Sequence, residues 1–426
     1  MVKAVQISDT EPESHDASLA ADLYRLQSWY KKIIKMSSMD SDKYQQFVQT
    51  VMVVLERINQ KNDPCVKETI LSTVIQKQVQ RMLDSLKEKE ENSERDEKFK
   101  KMESEVDEII PKNIRGNTPL VGSCYYGYTD IVQWLLRNDV DVDQCRDDGN
   151  TGLIFASQNG HTDIVKLLLE KDPNVDLCDK EGCSPLFMAS QEGHTAIVNL
   201  LLKTDSQINL CNKYGFTPLI MACGLNHTNT VKLLMKHKPN INAQTYDGGN
   251  ALYFSAVNGN MEITKLLLEN NADCNIFIMS KQCLTNKFNN IQRKTLDKEK
   301  QELFDSLVKN TSSHGTDYVR QKSVDYGFDV VAGSSPLHIA CFIGRIDVVH
   351  CLLDHNANIN IKKEDGTTPL FYACEVGHEH IVHLLLEKGA DTQMCRLDGE
   401  SPLKIATDNG HTSIVVMLLN HIMNED

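Results

Sequence analysis

Glycine recurs every 33 residues through most of this 426-residue chain: Gly116, Gly149, Gly182, Gly215 and Gly248, then, after a gap, Gly333, Gly366 and Gly399. A period this short constrains the fold more than any local pattern. A unit of that length cannot bury an apolar face alone and must stack on its neighbours. The repetition extends beyond glycine. Leu stands four residues after each of the eight glycines, from Leu120 to Leu403, and again nineteen residues after each; Pro precedes the first Leu in six units, with Gly152 and Ala251 as the exceptions.

Each unit has a local explanation. In Gly366-Thr-Thr-Pro-Leu-Phe-Tyr-Ala, Thr368 is placed to cap a helix whose first position is Pro369, where the missing N–H costs nothing and φ is already suitable. Gly377-His378 then breaks the chain, and His380 to Leu386 sets apolar residues three and four apart along a second helix. Gly389 supplies the left-handed residue that stops it, a place taken elsewhere by Asp172, Asp205, Asn271 and Asn356. An extended stretch such as Asn240-Ile-Asn-Ala leads over a polar turn to the next glycine.

Gly-x-Thr-Pro-Leu, Ala, Gly-His, Ile-Val-x-Leu-Leu-Leu and then Ala-Asp or Asn-Ile-Asn at period 33 resembles the ankyrin repeat family, over roughly Gly116 to Ser280 and Gly333 to Ile422. The resemblance implies an all-α solenoid of helix-turn-helix units with short β-hairpin tips. Some units depart from the pattern: Gly122 and Ser123 in the first, Asn226 and Thr230 in the fourth, Asn250 in the fifth.

The predicted organisation is therefore an N-terminal helical region over 1–115, repeats one to five over 116–280, an insert over 281–332 and repeats six to eight over 333–426. Within the first region, Leu19, Leu23, Leu26, Tyr30 and Ile33 begin the first of three helices, and the densely charged 86–108 stretch reads as a solvated helix or short coiled coil. In the insert, Cys283 to Asn310 reads as helix through Phe288, Ile291, Leu303, Phe304 and Leu307, and 311–327 as loop; an eroded repeat plus a loop is the alternative. The insert's position predicts either a hinge in the solenoid or a cover over its binding surface.

Lys plus Arg number 45 against 59 Asp plus Glu, a net charge of −14, so the basic footprint of a nucleic-acid binder is missing. No run approaches the ~18 apolar residues that cross a bilayer. Thirteen cysteines, an odd number in a long chain, fit a reducing interior better than a disulfide framework, and a cytoplasmic location is expected, with the nucleus left open. Cys145, Cys178, Cys211 and Cys395 share one repeat phase; Cys124, Cys223, Cys341 and Cys374 share another, where other units carry Ala or Ser and small packing residues are needed.

His161, His194, His227, His378 and His411 also recur at one phase, which points to a turn role. His380 and His383 stand three apart on a helix, but Val382 occupies the place where a zincin motif has its second His, and no metal or other cofactor is expected. No phosphate cradle or nucleophile elbow occurs, and the expected protein is not an enzyme.

In a stacked array the turn tips, and the ninth and tenth residues after each glycine, line one concave side. The family resemblance implies that partners bind there. These positions hold Tyr125, Tyr126, Tyr214, Phe216, Leu225, Tyr246, Val257, Phe342 and Ile343, while other units show mostly acidic residues, among them Asp147, Glu181, Glu192 and Glu375. An aromatic patch with a charged rim is the composition of a protein interface. The alternative is that these side chains pack against adjacent tips or lie under the insert. The expected function is a scaffold or adaptor for a partner protein; the alternatives are a regulatory or inhibitory subunit and a cytoskeleton–membrane linker.

Overall fold

The computed structural model describes residues 116–138, 140–289 and 293–425, all within the Ser104–Asp426 unit of the chain. The helices and coiled coil expected over 1–115 lie outside the described residues. Among those described there are helices, turns and two isolated β-bridges, Cys145 with Thr151 and Gln244 with Asn250, and no strand; the expected hairpin tips are tight turns.

Each unit supplies an inner and an outer helix: α1 (Pro119–Tyr126) and α2 (Thr129–Arg137), α3 (Gly152–Gln158) and α4 (Thr162–Leu169), α5 (Pro185–Gln191) and α6 (Thr195–Leu201), α7 (Pro218–Gly224) and α8 (Thr228–Lys236), α9 (Ala251–Asn258) and α10 (Met261–Glu269). The insert forms α11 (Lys281–Asn289), α12 (Arg293–Asn310), α13 (Ser313–Arg320) and α14 (Val324–Val331). The last three units follow as α15 (Pro336–Ile343) and α16 (Ile346–Asp354), α17 (Pro369–Val376) and α18 (Glu379–Glu387), α19 (Pro402–Asp408) and α20 (Thr412–Glu425).

The same cap starts every inner helix. The side chains of Thr118, Thr151, Ser184, Thr217, Asn250, Ser335, Thr368 and Ser401 each accept the N–H three residues on. Such a bond is worth about 1 kcal/mol. Asn250, a departure in sequence, thus does the work of Thr or Ser. Thr230 is absorbed too: fully buried, it shares a 2.9 Å hydrogen bond with Thr195 of the preceding unit. Asp172, Asn271 and Asn356 take positive φ as expected; Asp205 does not, and in the fourth unit Lys238 adopts φ 53.

Leu120, Leu153, Leu186, Leu219, Leu252, Leu337 and Leu370 are buried between inner helices, and Leu135, Leu168, Leu201, Leu234, Leu267, Leu352, Leu385 and Leu418 seal the outer ones. Leu403, in the last described unit, is only partly buried.

A backbone ladder stitches the units together. The N–H of Asn174 donates to Asp143, Gln207 to Asp176, Asn240 to Asn209, Asp273 to Asn242 and Asp391 to Asn360, each across 31 residues. Between the fifth and sixth units the same bond joins Asn358 to Asn275 at 2.9 Å across 83 residues. The insert therefore leaves the stacking intact: α9 packs directly on α15. At its base, Gly333 N–H donates to Met279 O and Ile278 N–H to Ser334 O, both at 3.0 Å, so the insert departs from and returns to one turn tip. The expected hinge is not present.

The region 311–327, expected as loop, is mostly α13 and α14. Ser312 and Ser323 cap them by accepting from the N–H of Gly315 and of Tyr326. Their apolar residues Val319, Phe328, Val330 and Val331 are buried, α14 packing on α12 and setting its Tyr326 ring against Phe342 of the solenoid. Isolated helices this short are marginal, so it is this tertiary burial that makes them helical.

Candidate functional site

The inner ends of the units are fastened by the recurring histidines. Nε2 of His161, His194, His227, His378 and His411 lies 2.7–3.2 Å from the carbonyl oxygens of Tyr125, Gln158, Gln191, Phe342 and Glu375, each 36 residues earlier. These rings tie one inner helix to the next turn, the structural role expected from their phase. In the fifth unit Asn258 Nδ2 reaches Gly224 O at 2.6 Å instead. In the sixth, Arg345 takes the histidine place and its Nη2 reaches Asn310 O of the insert at 2.7 Å. The turn around Gly344 needs glycine: φ is 89°, and a Cβ there would fall 2.6 Å from the His378 ring and 2.9 Å from Ser312 Oγ.

Five of the nine candidate surface residues are open to solvent: Tyr125 at 44%, Tyr126 at 40%, Tyr214 at 52%, Leu225 at 48% and Tyr246 at 51%. Tyr125 stands edge-on to Tyr126 and to the buried Phe155, with ring centroids 4.9 and 5.1 Å apart. Tyr246 N–H donates to Tyr214 O at 2.9 Å, which sets the two rings on consecutive tips, and Lys213 Nζ lies 5.1 Å from the Tyr214 centroid. Phe216 and Val257 are half-buried, and Phe216 packs on Phe254 at 5.5 Å.

Phe342 and Ile343 are fully buried and do not belong to the open surface. Glu375, expected on the acidic rim, is buried as well. The cause is the insert, which lies across the concave side of units six and seven. At one end Ser312 N–H donates to Ile343 O at 2.9 Å, beside the Arg345 contact. Midway, Tyr318 donates its hydroxyl proton to Glu375 at 3.0 Å, and the Tyr326 ring packs 6.2 Å from Phe342. At the far end Lys363 Nζ donates to the Asp329 and Val330 carbonyls in the last turn of α14 and to the Tyr372 hydroxyl at 2.6 Å. A cation at a helix C-terminus meets the negative end of the helix dipole.

Burial governs the titration of these groups. Desolvation pulls the Lys363 ammonium down to about 8 against the attraction of Asp365 and Asp329. It pushes the Glu375 carboxyl above the usual carboxylate range despite its tyrosine partners. His338, fully buried, is pulled down to about 3 by desolvation and by neighbouring Lys363; its Nδ1 lies 2.9 Å from Ser335 Oγ and its Nε2 3.1 Å from Thr367 O.

Open residues that escaped the sequence reading include Leu397 and, next to the base of the insert, Phe277 and Met279. Met279 stands 31 residues after Gly248, as Tyr246 does after Gly215, so counting one further turn position would have found it. Lys363 carried a signal too, for it stands where units two and three end with Asp179 and Asn212, whose side chains close their own turns.

Cys124, Cys223, Cys341 and Cys374 are buried, and desolvation raises each thiol. His380 and His383 line a groove on the outer helices with His350 and Cys351. There His383 pairs with Glu387 at 3.5 Å and His350 with Asp354 at 2.8 Å. Among the described residues no three His, Cys, Asp or Glu side chains gather as a metal-holding group, and no helix is long and apolar enough to cross a membrane.

Comparison with known proteins finds no match among curated ones. Family models do match: ankyrin repeats (3 copies) over residues 120–212, 204–278 and 298–394, and ankyrin repeats (many copies) over 370–419. The third of these matches runs through part of the insert, from residue 298. Ankyrin repeats are protein–protein interaction modules and generally carry no catalysis. With matches over more than half of its length, and with stacked inner and outer helices in all eight units, the chain belongs to the ankyrin repeat family.

Proposed function

We propose that this protein is a non-enzymatic scaffold or adaptor that holds a partner protein on the concave side of units one to five. The observation that carries this reading is the exposure of Tyr125, Tyr126, Tyr214, Leu225 and Tyr246 at positions where burial is not needed for folding. Tyrosines of this kind offer large contact area with little ordering cost, and a stacked array holds them in place before the partner arrives. The interaction takes place in a reducing compartment, the cytoplasm.

The test is affinity capture of interacting proteins with the wild-type chain and with a variant carrying Tyr125→Ser, Tyr126→Ser, Tyr214→Ser and Tyr246→Ser, the helicity of both being checked by circular dichroism. Loss of a partner with helicity retained supports the reading. Retention of every partner by the variant would exclude this surface.

A further inference from the structure

We propose that the groove over units six and seven is a helix-binding site, that α12–α14 is its ligand in cis, and that this segment leaves and returns as a unit while the solenoid beneath stays folded.

Three independent observations lead there. First, the solenoid closes underneath the insert. The Asn275–Asn358 bond, the α9–α15 packing and the paired Met279, Gly333, Ile278 and Ser334 backbone groups are those of two ordinary neighbours. Removing 281–332 would return Gly333 to a position 33 residues after Gly248, the spacing of every other unit. The repeats do not need the insert for register.

Second, the insert covers the positions that are open elsewhere. Phe342 and Glu375 stand at the phase of Tyr125, and Ile343 at that of Tyr126 and Leu225, yet all three are buried beneath α13 and α14.

Third, the contacts define a recognisable ligand. Lys363 donates to the carbonyls at the C-terminus of α14, Glu375 accepts from the Tyr318 hydroxyl of α13, and between them the Tyr326 ring of α14 packs 6.2 Å from Phe342. A pair of short amphipathic helices that presents a helix C-terminus, an aromatic hydroxyl and an aromatic ring is the chemistry this groove accepts. A tethered segment acts at millimolar effective concentration, so only a partner helix that binds the empty groove far more tightly than the insert does would displace it.

Two measurements test this. In the full chain, hydrogen exchange should show the amides of Thr316 and Ala332, bonded to Ser312 O and Phe328 O, exchanging at least about tenfold faster than those of Ile339 and Tyr372 in the inner helices below. Equal protection would make the insert a fixed part of one cooperative core and overturn the proposal. In the second, a synthetic peptide of residues 293–332 is titrated into a chain lacking 281–332 and into the full chain. Saturable binding to the shortened chain alone is expected, about tenfold weaker for a Tyr318→Phe peptide because a hydrogen bond to a charged group is lost. A shortened chain that fails to fold, a folded one that does not bind, equal binding to both chains or an unchanged Tyr318→Phe affinity would each overturn it.

Discussion

The backbone N–H of Asn358 donates to Oδ1 of Asn275 at 2.9 Å although 83 residues separate them. The equivalent bond from Asp273 to Asn242 spans 31, and the difference between the two is the 52 residues from 281 to 332. A long excursion of the chain therefore costs the solenoid none of its inter-repeat bonding.

Asn275→Ala and Asn242→Ala should then destabilise the protein alike, each by about 0.5–1.5 kcal/mol, the net worth of one hydrogen bond. Urea unfolding followed by circular dichroism measures both. No loss at Asn275 beside a clear loss at Asn242 would mean that the sixth unit is not clamped to the fifth.

The burial of Phe342 changes what its mutation does. Phe342→Ala should cost about 3–5 kcal/mol, because the ring is enclosed by Tyr326 and Tyr372 at 6.2 and 5.3 Å and truncation leaves a cavity. Tyr246→Ala, at a half-open tip, should stay within about 0.5 kcal/mol of wild type. Similar losses at the two positions, measured by chemical denaturation, would contradict the covered and open assignment.

His338 makes the protein acid-sensitive. Its folded value of about 3 lies below its ordinary value of 6.5, so the unfolded chain takes up the proton first. The stabilisation is complete above pH 6.5 and is lost as pH falls toward 3, by about 2 kcal/mol between pH 6.5 and 5. Lys363 and Asp365 are the charged groups that act on it, and the cation deepens the shift. Unfolding free energies at pH 7 and 5 should differ less for His338→Gln than for wild type by that amount; parallel pH dependences would refute the assignment.

Leu201 is fully buried between the third unit's outer helix and its neighbours. Leu201→Ala should cost about 2–5 kcal/mol, since repeats gain their stability from stacking. A denaturation midpoint equal to wild type would put the stacking register in error.

Much of this architecture was legible because a repeat states the same physics eight times. Thr368 before Pro369 announced a capped helix, and its counterparts in all eight units form that cap. The phase of His378 announced a turn role, and its ring bonds Phe342 O. The covered groove was not legible. Nothing in the local pattern of 311–327 distinguishes a loop from two helices whose apolar residues find their partners on α12 and on the inner helices of units six and seven. Glu375 read as a surface charge for the same reason: its partner, Tyr318, lies 57 residues away.

Period, caps, turns and the burial of the repeated leucines followed from the sequence by itself, because each depends on residues within one unit or on the identical residue in the next. Which aromatic positions stay open was decided only by the tertiary structure. Tyr125 and Phe342 occupy the same phase, yet one meets solvent and the other meets the insert. The path of a 52-residue excursion is set by long-range packing, which no periodicity encodes.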